Sequence, residues 1–198
     1  MIRLALPVTL AAVAALAGCS PAQDDAAPTQ DASAQSTAAE DVAGAASSPD
    51  TLGSAALALA DGTSAGTVEL LSDGGALSLR IDVTGIPEGT HGFHLHTTGQ
   101  CAAPDFTSAG GHLNPADREH GRENPAGSHL GDLPNLVVGA DGTASTTVAL
   151  DAESGSAIDL LFDADGTAVM IHADPDDYRT DPTGDAGSRI ACGVLERG

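Results

Sequence analysis

The chain alternates apolar and polar residues in short runs at 56–60, 67–71, 77–83, 92–96, 143–150, 157–162, 168–172 and 190–195. A period of two sends successive side chains to opposite faces, so each run predicts a half-buried β-strand. Between the runs stand Ala60-Asp61-Gly62, Ser72-Asp73-Gly74-Gly75, Ala140-Asp141-Gly142 and Ala164-Asp165-Gly166. Asp-Gly supplies the positive backbone dihedrals that tight hairpins require. No stretch of this region carries a convincing helical period. Regular strands punctuated by turns predict an all-β sandwich or barrel.

Two segments, 97–135 and 173–189, break the pattern: both are rich in Gly, Pro and Asp and poor in strand signal. Loops this long in a compact domain are usually functional or disordered, and three histidines in the first favour function. Upstream, Arg3 precedes an apolar run over 4–16. That run is shorter than the roughly 20 residues a bilayer-spanning helix needs, and it predicts a secretory leader over 1–18 that is removed. Its end, Leu16-Ala17-Gly18-Cys19, resembles a bacterial lipobox, which implies that Cys19 is lipidated and becomes the new N-terminus. Residues 19–51 then form a tether of Ala, Ser, Thr, Gln, Asp and Pro. Such a composition cannot bury enough surface to offset its ordering entropy, and a flexible coil of this length spans roughly 30 Å. Residues 52–198 remain as one domain, large enough for a proper core.

Charge narrows the set of partners. The formal net charge is −21, with 28 acidic residues and no lysine, and loss of Arg3 with the leader makes it one unit more negative. Nucleic acid and anionic membrane surfaces require basic patches, so neither is an expected partner; membrane contact is expected only through the lipid. With Cys19 lipidated, Cys101 and Cys192 are left as one pair, and an exported protein in an oxidising compartment is expected to join them.

All seven histidines lie between positions 91 and 172, beside or within the two loops. Any one alone would more often be a surface or hydrogen-bonded core residue; the clustering changes that weighting. His94 and His96 are two apart on a predicted strand and so share a face. His112, His120, His129 and Asp132 occupy a single loop that can fold around an ion. Imidazole suits zinc and copper, and an added carboxylate is typical of zinc. These residues predict at least one transition-metal site.

The segments themselves are more specific. His91-Gly92-Phe93-His94-Leu95-His96, Gly110-Gly111-His112-Leu113-Asn114-Pro115, His120-Gly121, His129-Leu130-Gly131-Asp132-Leu133, Ile171-His172-Ala173 and Gly187-Ser188-Arg189-Ile190-Ala191-Cys192-Gly193-Val194 occur in that order. Together they resemble the bacterial copper–zinc superoxide dismutases across essentially the whole region after the tether. The resemblance implies a Greek-key β-sandwich or flattened barrel, an architecture under which this family is itself classed. It implies copper bound by His94, His96, His112 and His172, and zinc bound by His112, His120, His129 and Asp132, with His112 bridging. Asp176 corresponds to a carboxylate linking His94 to His120, and His91 to a hydrogen-bonding residue without a metal. The 173–189 loop lacks the lysine that some relatives place near the channel, which leaves Arg189, with Arg179 as the other candidate, to guard the copper.

The activity so implied is disproportionation of superoxide to oxygen and hydrogen peroxide, with copper carrying the electron and His112 a proton. The expected setting is the cell envelope, anchored by lipid to a membrane, the outer membrane facing the periplasm. Monomer and homodimer both remain open. Rival readings are a copper-binding or copper-storing lipoprotein on the same sandwich, a structural adhesion sandwich, and a copper-only enzyme. The first would be favoured by loss of the bridging histidine or the channel arginine, and the second would need none of the histidines. Against the third stand His120, His129 and Asp132.

Overall fold

The computed structural model describes residues 48–198. The leader, Cys19 and most of the expected tether lie outside the described residues. Nine strands follow in chain order: β1 (Asp50–Leu59), β2 (Ser64–Asp73), β3 (Ala76–Val83), β4 (Gly89–His91), β5 (Phe93–His96), β6 (Leu136–Val138), β7 (Ala144–Glu153), β8 (Thr167–His172) and β9 (Arg189–Arg197). One α-helix, α1 (Ser154–Leu161), and a single 3-10 turn at Thr107–Ala109 are the helical elements among the described residues. No helix there is long and apolar enough to cross a membrane.

Seven strands form one antiparallel sheet in the order β5-β8-β9-β1-β2-β3-β7, and β4 pairs with β6 in a small second sheet. The chain meanders through β1, β2 and β3, crosses to β5 at the far edge, returns to place β7 beside β3, then crosses again to β8. Those two crossings give the Greek-key character expected from the sequence. The sheet curls so that its buried face encloses an aliphatic core of Leu57, Val68, Leu70, Leu79, Ile81, Leu95, Val169 and Ile171, with Phe93 the largest aromatic in it. Every second residue of β3 is buried (Leu77, Leu79, Ile81, Val83). This is the pattern that a sheet with one face in the core requires. Truncating such a side chain, as in Leu79→Ala, costs about 2–5 kcal/mol.

The structure differs from the sequence reading in particular places. The run at 157–162 is not a strand. Ala157 and Leu161 are buried four residues apart and Ile158 is half-buried between them, which is the spacing of one helical face. Six residues are too few to separate that pattern from alternation. β1 begins at Asp50, taking in two residues assigned to the tether, and the short strands β4 and β6 have no signal of their own.

The two long irregular segments are loops, and both are pinned to the barrel. Cys101, at the start of the first, is joined by a disulfide to Cys192 on β9, with Cα atoms 5.7 Å apart and a sequence separation of 91. Loop-closure models give a bridge of that span roughly 4–5 kcal/mol. β5 serves as a template for the same loop: Leu95 N–H donates to the Gly131 carbonyl, Leu113 N–H to the Leu95 carbonyl, and Gly131 N–H to the Leu113 carbonyl. These bonds draw the segments around His112 and Asp132 against β5, with isolated bridges at His94–Asp132 and His96–His112.

Candidate metal centre

Six histidines and one aspartate converge above β5 and β8. Two groups form, each with potential ligand atoms within 4.8 Å of one another: His94, His96, His112 and His172, and His112, His120, His129 and Asp132. All seven side chains are buried, and His112 belongs to both groups. His94 and His96 come from β5, His172 from the end of β8, and the other four from the 97–135 loop that β5 holds.

Each ring outside the shared one has a nitrogen tied to the protein and its other nitrogen turned into the cluster. His94 Nε2 lies 2.7 Å from Asp176 Oδ2, and His120 Nε2 lies 3.0 Å from Asp176 Oδ1. His96 Nδ1 faces the Gly110 carbonyl at 3.0 Å, His172 Nδ1 the Gly187 carbonyl at 3.3 Å, and His129 Nε2 the Arg118 carbonyl at 3.1 Å. In these five contacts the ring nitrogen carries the proton and donates it to the carbonyl or carboxylate. In a neutral ring the opposite nitrogen then keeps its lone pair, which is the form a metal takes. The nitrogens left over include His94 Nδ1 and His112 Nε2, both buried without a hydrogen-bond partner. His96 Nε2 and His172 Nε2 face each other at 3.4 Å. Unpaired buried polar atoms cost about 1–3 kcal/mol each. Clustered in this way they fit cations shared among them.

The second group is built on one carboxylate. Asp132 Oδ1 lies 2.9 Å from His112 Nδ1, 3.0 Å from His120 Nδ1 and 3.1 Å from His129 Nδ1. Its Oδ2 accepts from the backbone N–H groups of Gly121 and His129, at 2.9 Å each. Three Nδ1 atoms and one fixed carboxylate oxygen make a closed N₃O donor set of the kind that suits zinc. The four-imidazole group has no carboxylate and suits copper.

Titration follows the same division. Burial first, and then neighbouring histidines, push His112 down to about 4 and His172 down to about 3, so both rings are neutral near pH 7. Burial also works against charge on His120, but hydrogen bonds and charges from Asp132 and Asp176 outweigh it and raise that ring to about 9. Burial would raise both carboxyl groups, yet their imidazole and backbone donors hold Asp132 and Asp176 well below the ordinary carboxylate range.

The family model described as copper/zinc superoxide dismutase (SODC) matches residues 64–195. The chain belongs to the copper/zinc superoxide dismutase family. It is 44% identical over 140 residues to the superoxide dismutase-like protein YojM of Bacillus subtilis, covering 68% of this chain and 71% of that one. It is 41% identical over 142 residues to a Cu-Zn superoxide dismutase of Caulobacter vibrioides, covering 69% and 80%. Among solved structures, it is similar to a double mutant of a SOD-like protein from Bacillus subtilis in which a tyrosine and a proline are replaced by histidine. That likeness has a TM-score of 0.69 and 42% identity over 74% of this chain and 99% of that one. The family is one of enzymes that use copper and zinc, and the enzymatic reading of the sequence stands with it. The Cys101–Cys192 bridge expected from cysteine parity is present.

The remaining residues singled out in the sequence fall as follows. His91 stands outside both groups, its ring between the carbonyls of His172 and Pro87 at 2.8 Å from each. Arg189, partly exposed, borders an open depression with Pro104, Asp105, Thr107, Gly187 and Ser188. Its guanidinium donates to the carbonyls of Phe106 at 2.7 Å and Gly110 at 2.6 Å. Arg179 is turned elsewhere, paired with Glu123 at 2.6 Å on the exposed side of the first loop. Gly184 has a positive φ of 64° and packs so closely that a Cβ there would overlap Asp176 and His120. Neither Gly184 nor Asn135, which bonds to the backbone of Asp176, carries any local sequence signal, because their roles depend on contacts between distant segments.

Proposed function

We propose that the domain disproportionates superoxide, two superoxide anions and two protons giving oxygen and hydrogen peroxide. Copper would be held by His94, His96, His112 and His172, and zinc by His112, His120, His129 and Asp132. The observation that carries this reading is His112, whose Nδ1 belongs to one donor set and whose unpartnered Nε2 belongs to the other. Copper supplies a reversible one-electron acceptor and donor, whereas zinc keeps a single oxidation state.

The chain's own residues divide the remaining work. Arg189 docks the anion beside the four-histidine group, its guanidinium fixed by two loop carbonyls. His112 holds a proton on Nε2 during one half of the cycle and delivers it to the reduced product in the other; water supplies the second proton. Asp132 anchors the opposite nitrogen of the same ring so that Nε2 returns to one place. Asp176 holds His94 and His120 together and fixes which nitrogen of each keeps its lone pair. The working setting is the cell envelope, with Cys19 lipidated and the domain facing the periplasm from the outer membrane; the apolar leader ending in Leu16-Ala17-Gly18-Cys19 supports this. There the enzyme would protect the envelope from superoxide.

The likeness to a superoxide dismutase-like protein favours one second reading, a protein that holds copper without turnover. The full set of six histidines and Arg189 supports the enzyme. Stopped-flow decay of superoxide separates the two: the loaded protein should accelerate decay, and acceleration absent from a copper-loaded sample would leave only the copper-holding reading.

A further inference from the structure

Asp176 can orient His94 and His120 only if it is itself held, and it lies in the irregular 173–189 segment. What holds its backbone is Asn135, three residues beyond Asp132 in the other loop. The Asp176 N–H donates to Asn135 Oδ1 at 2.9 Å, and Asn135 Nδ2 donates to the Asp176 carbonyl at 2.9 Å. One amide thus grips both backbone groups of one residue, using its acceptor and one of its donors. The Asn135 N–H in turn donates to Tyr178 Oη at 2.7 Å, a second tie to the same segment.

Asn135 is a firm anchor because of its neighbours. Leu133 and Leu136 are both buried in the barrel core, and β6 begins at Leu136. The amide therefore projects from chain fixed on both sides by apolar packing. Other contacts also join the two loops: His120 N–H donates to Asp181 Oδ1 at 2.6 Å, and Glu123 N–H to the Tyr178 carbonyl at 3.1 Å. Among these contacts, only the Asn135 clamp grips the backbone of Asp176.

We propose that Asn135 is a positioning residue which, by clamping the backbone of Asp176 to the barrel wall, sets the rings of His94 and His120 for their metals. This rests on the metal assignment proposed above. Partners that orient metal-ligating histidines typically change metal affinity by 10- to 100-fold when removed. Asn135→Ala should therefore release zinc from the copper- and zinc-loaded protein about ten-fold faster than wild type, read with a chromophoric chelator. In ¹⁵N-histidine spectra of the metal-free protein, the His94 and His120 Nε2–H signals should exchange faster with water. Tyr178→Phe keeps the amide clamp and removes only the acceptor of the Asn135 N–H, so its zinc release should fall between the two. Val137→Ala, at an exposed neighbouring position, should behave as wild type.

A lower melting temperature in Asn135→Ala with wild-type zinc release and ring exchange would overturn the proposal and leave a merely structural role. If Asn135→Ala does not accumulate as folded protein, Asn135→Asp takes its place, since it keeps the acceptor for the Asp176 N–H and loses the donor to the Asp176 carbonyl; wild-type zinc release from that variant overturns the proposal equally. A wild-type protein that retains no zinc would remove the metal assignment itself, an outcome distinct from a tight wild type and an equally tight Asn135→Ala.

Discussion

Arg189 and His96 share one acceptor: the Gly110 carbonyl receives the Arg189 guanidinium at 2.6 Å and faces His96 Nδ1 at 3.0 Å. The cation at the mouth and a ring of the four-histidine group are thus fixed to the same peptide, and the geometry of one is tied to that of the other. This matters because the chain is strongly acidic, at −21, and its substrate would be an anion. Acids elsewhere on the surface are screened over a Debye length of about 8 Å at physiological salt, so the local cation decides the approach.

Steering of this kind raises association rates by about 10- to 1,000-fold, a general range to which this family itself contributes. Arg189→Ala should therefore lower the rate of superoxide consumption by roughly ten-fold with metal content unchanged, and Arg189→Glu should lower it further. Added salt should slow the wild type more than Arg189→Ala. A wild-type rate in Arg189→Glu would pass the steering role to another group, Arg179 first, despite its pairing with Glu123.

The two donor sets should be separable by mutation. Asp132 Oδ1 is the point on which three Nδ1 atoms converge, so Asp132→Ala should lose zinc first and leave copper bound in a less fixed His112. His94→Ala should lose copper and nearly all activity while zinc stays. Elemental analysis of both variants checks this, and wild-type zinc in Asp132→Ala would contradict the assignment.

How much of this was legible in the sequence depends on where the information lies. Alternation along β3 is local, and so are His94-Leu95-His96 and the loop from His112 to Asp132; both could be read directly. The helix α1 was read as a strand because Ala157, Ile158 and Leu161 fit either period over six residues. The clamp from Asn135 to Asp176 and the shared Gly110 carbonyl lay beyond reach for another reason. They join segments far apart in the chain, and in all four of the bonds the partner is a backbone group with no residue identity to read.

The two sites of the metal-free protein should differ in their pH dependence. The ordinary histidine value of 6.5 is raised to about 9 at His120, held protonated by Asp132 and Asp176 against the effect of burial. A raised folded-state value gives stability that is fully present below about 6.5 and is lost as pH rises through about 9. Zinc must displace that proton, so zinc affinity should climb across the same window. His112 and His172, at about 4 and about 3, have no proton to lose there, and copper affinity should change less. Calorimetric titration with each metal at pH 7 and pH 9 checks this; equal pH dependence for the two would contradict it.

Cys19 determines the proposed location. Cys19→Ala should abolish recovery of the protein in the membrane fraction while leaving the metal-bound domain and its activity unchanged. Equal membrane partitioning of variant and wild type would remove the lipid anchor from the account.

The most direct test of the central claim is a copper titration of the zinc-loaded, full-length protein, with bound metal and superoxide decay measured on the same samples. If His112 joins a copper group to a zinc group in a working dismutase, decay should accelerate in proportion to bound copper and level off at one copper per chain. Copper bound to that same limit with superoxide decaying no faster than in buffer would contradict it.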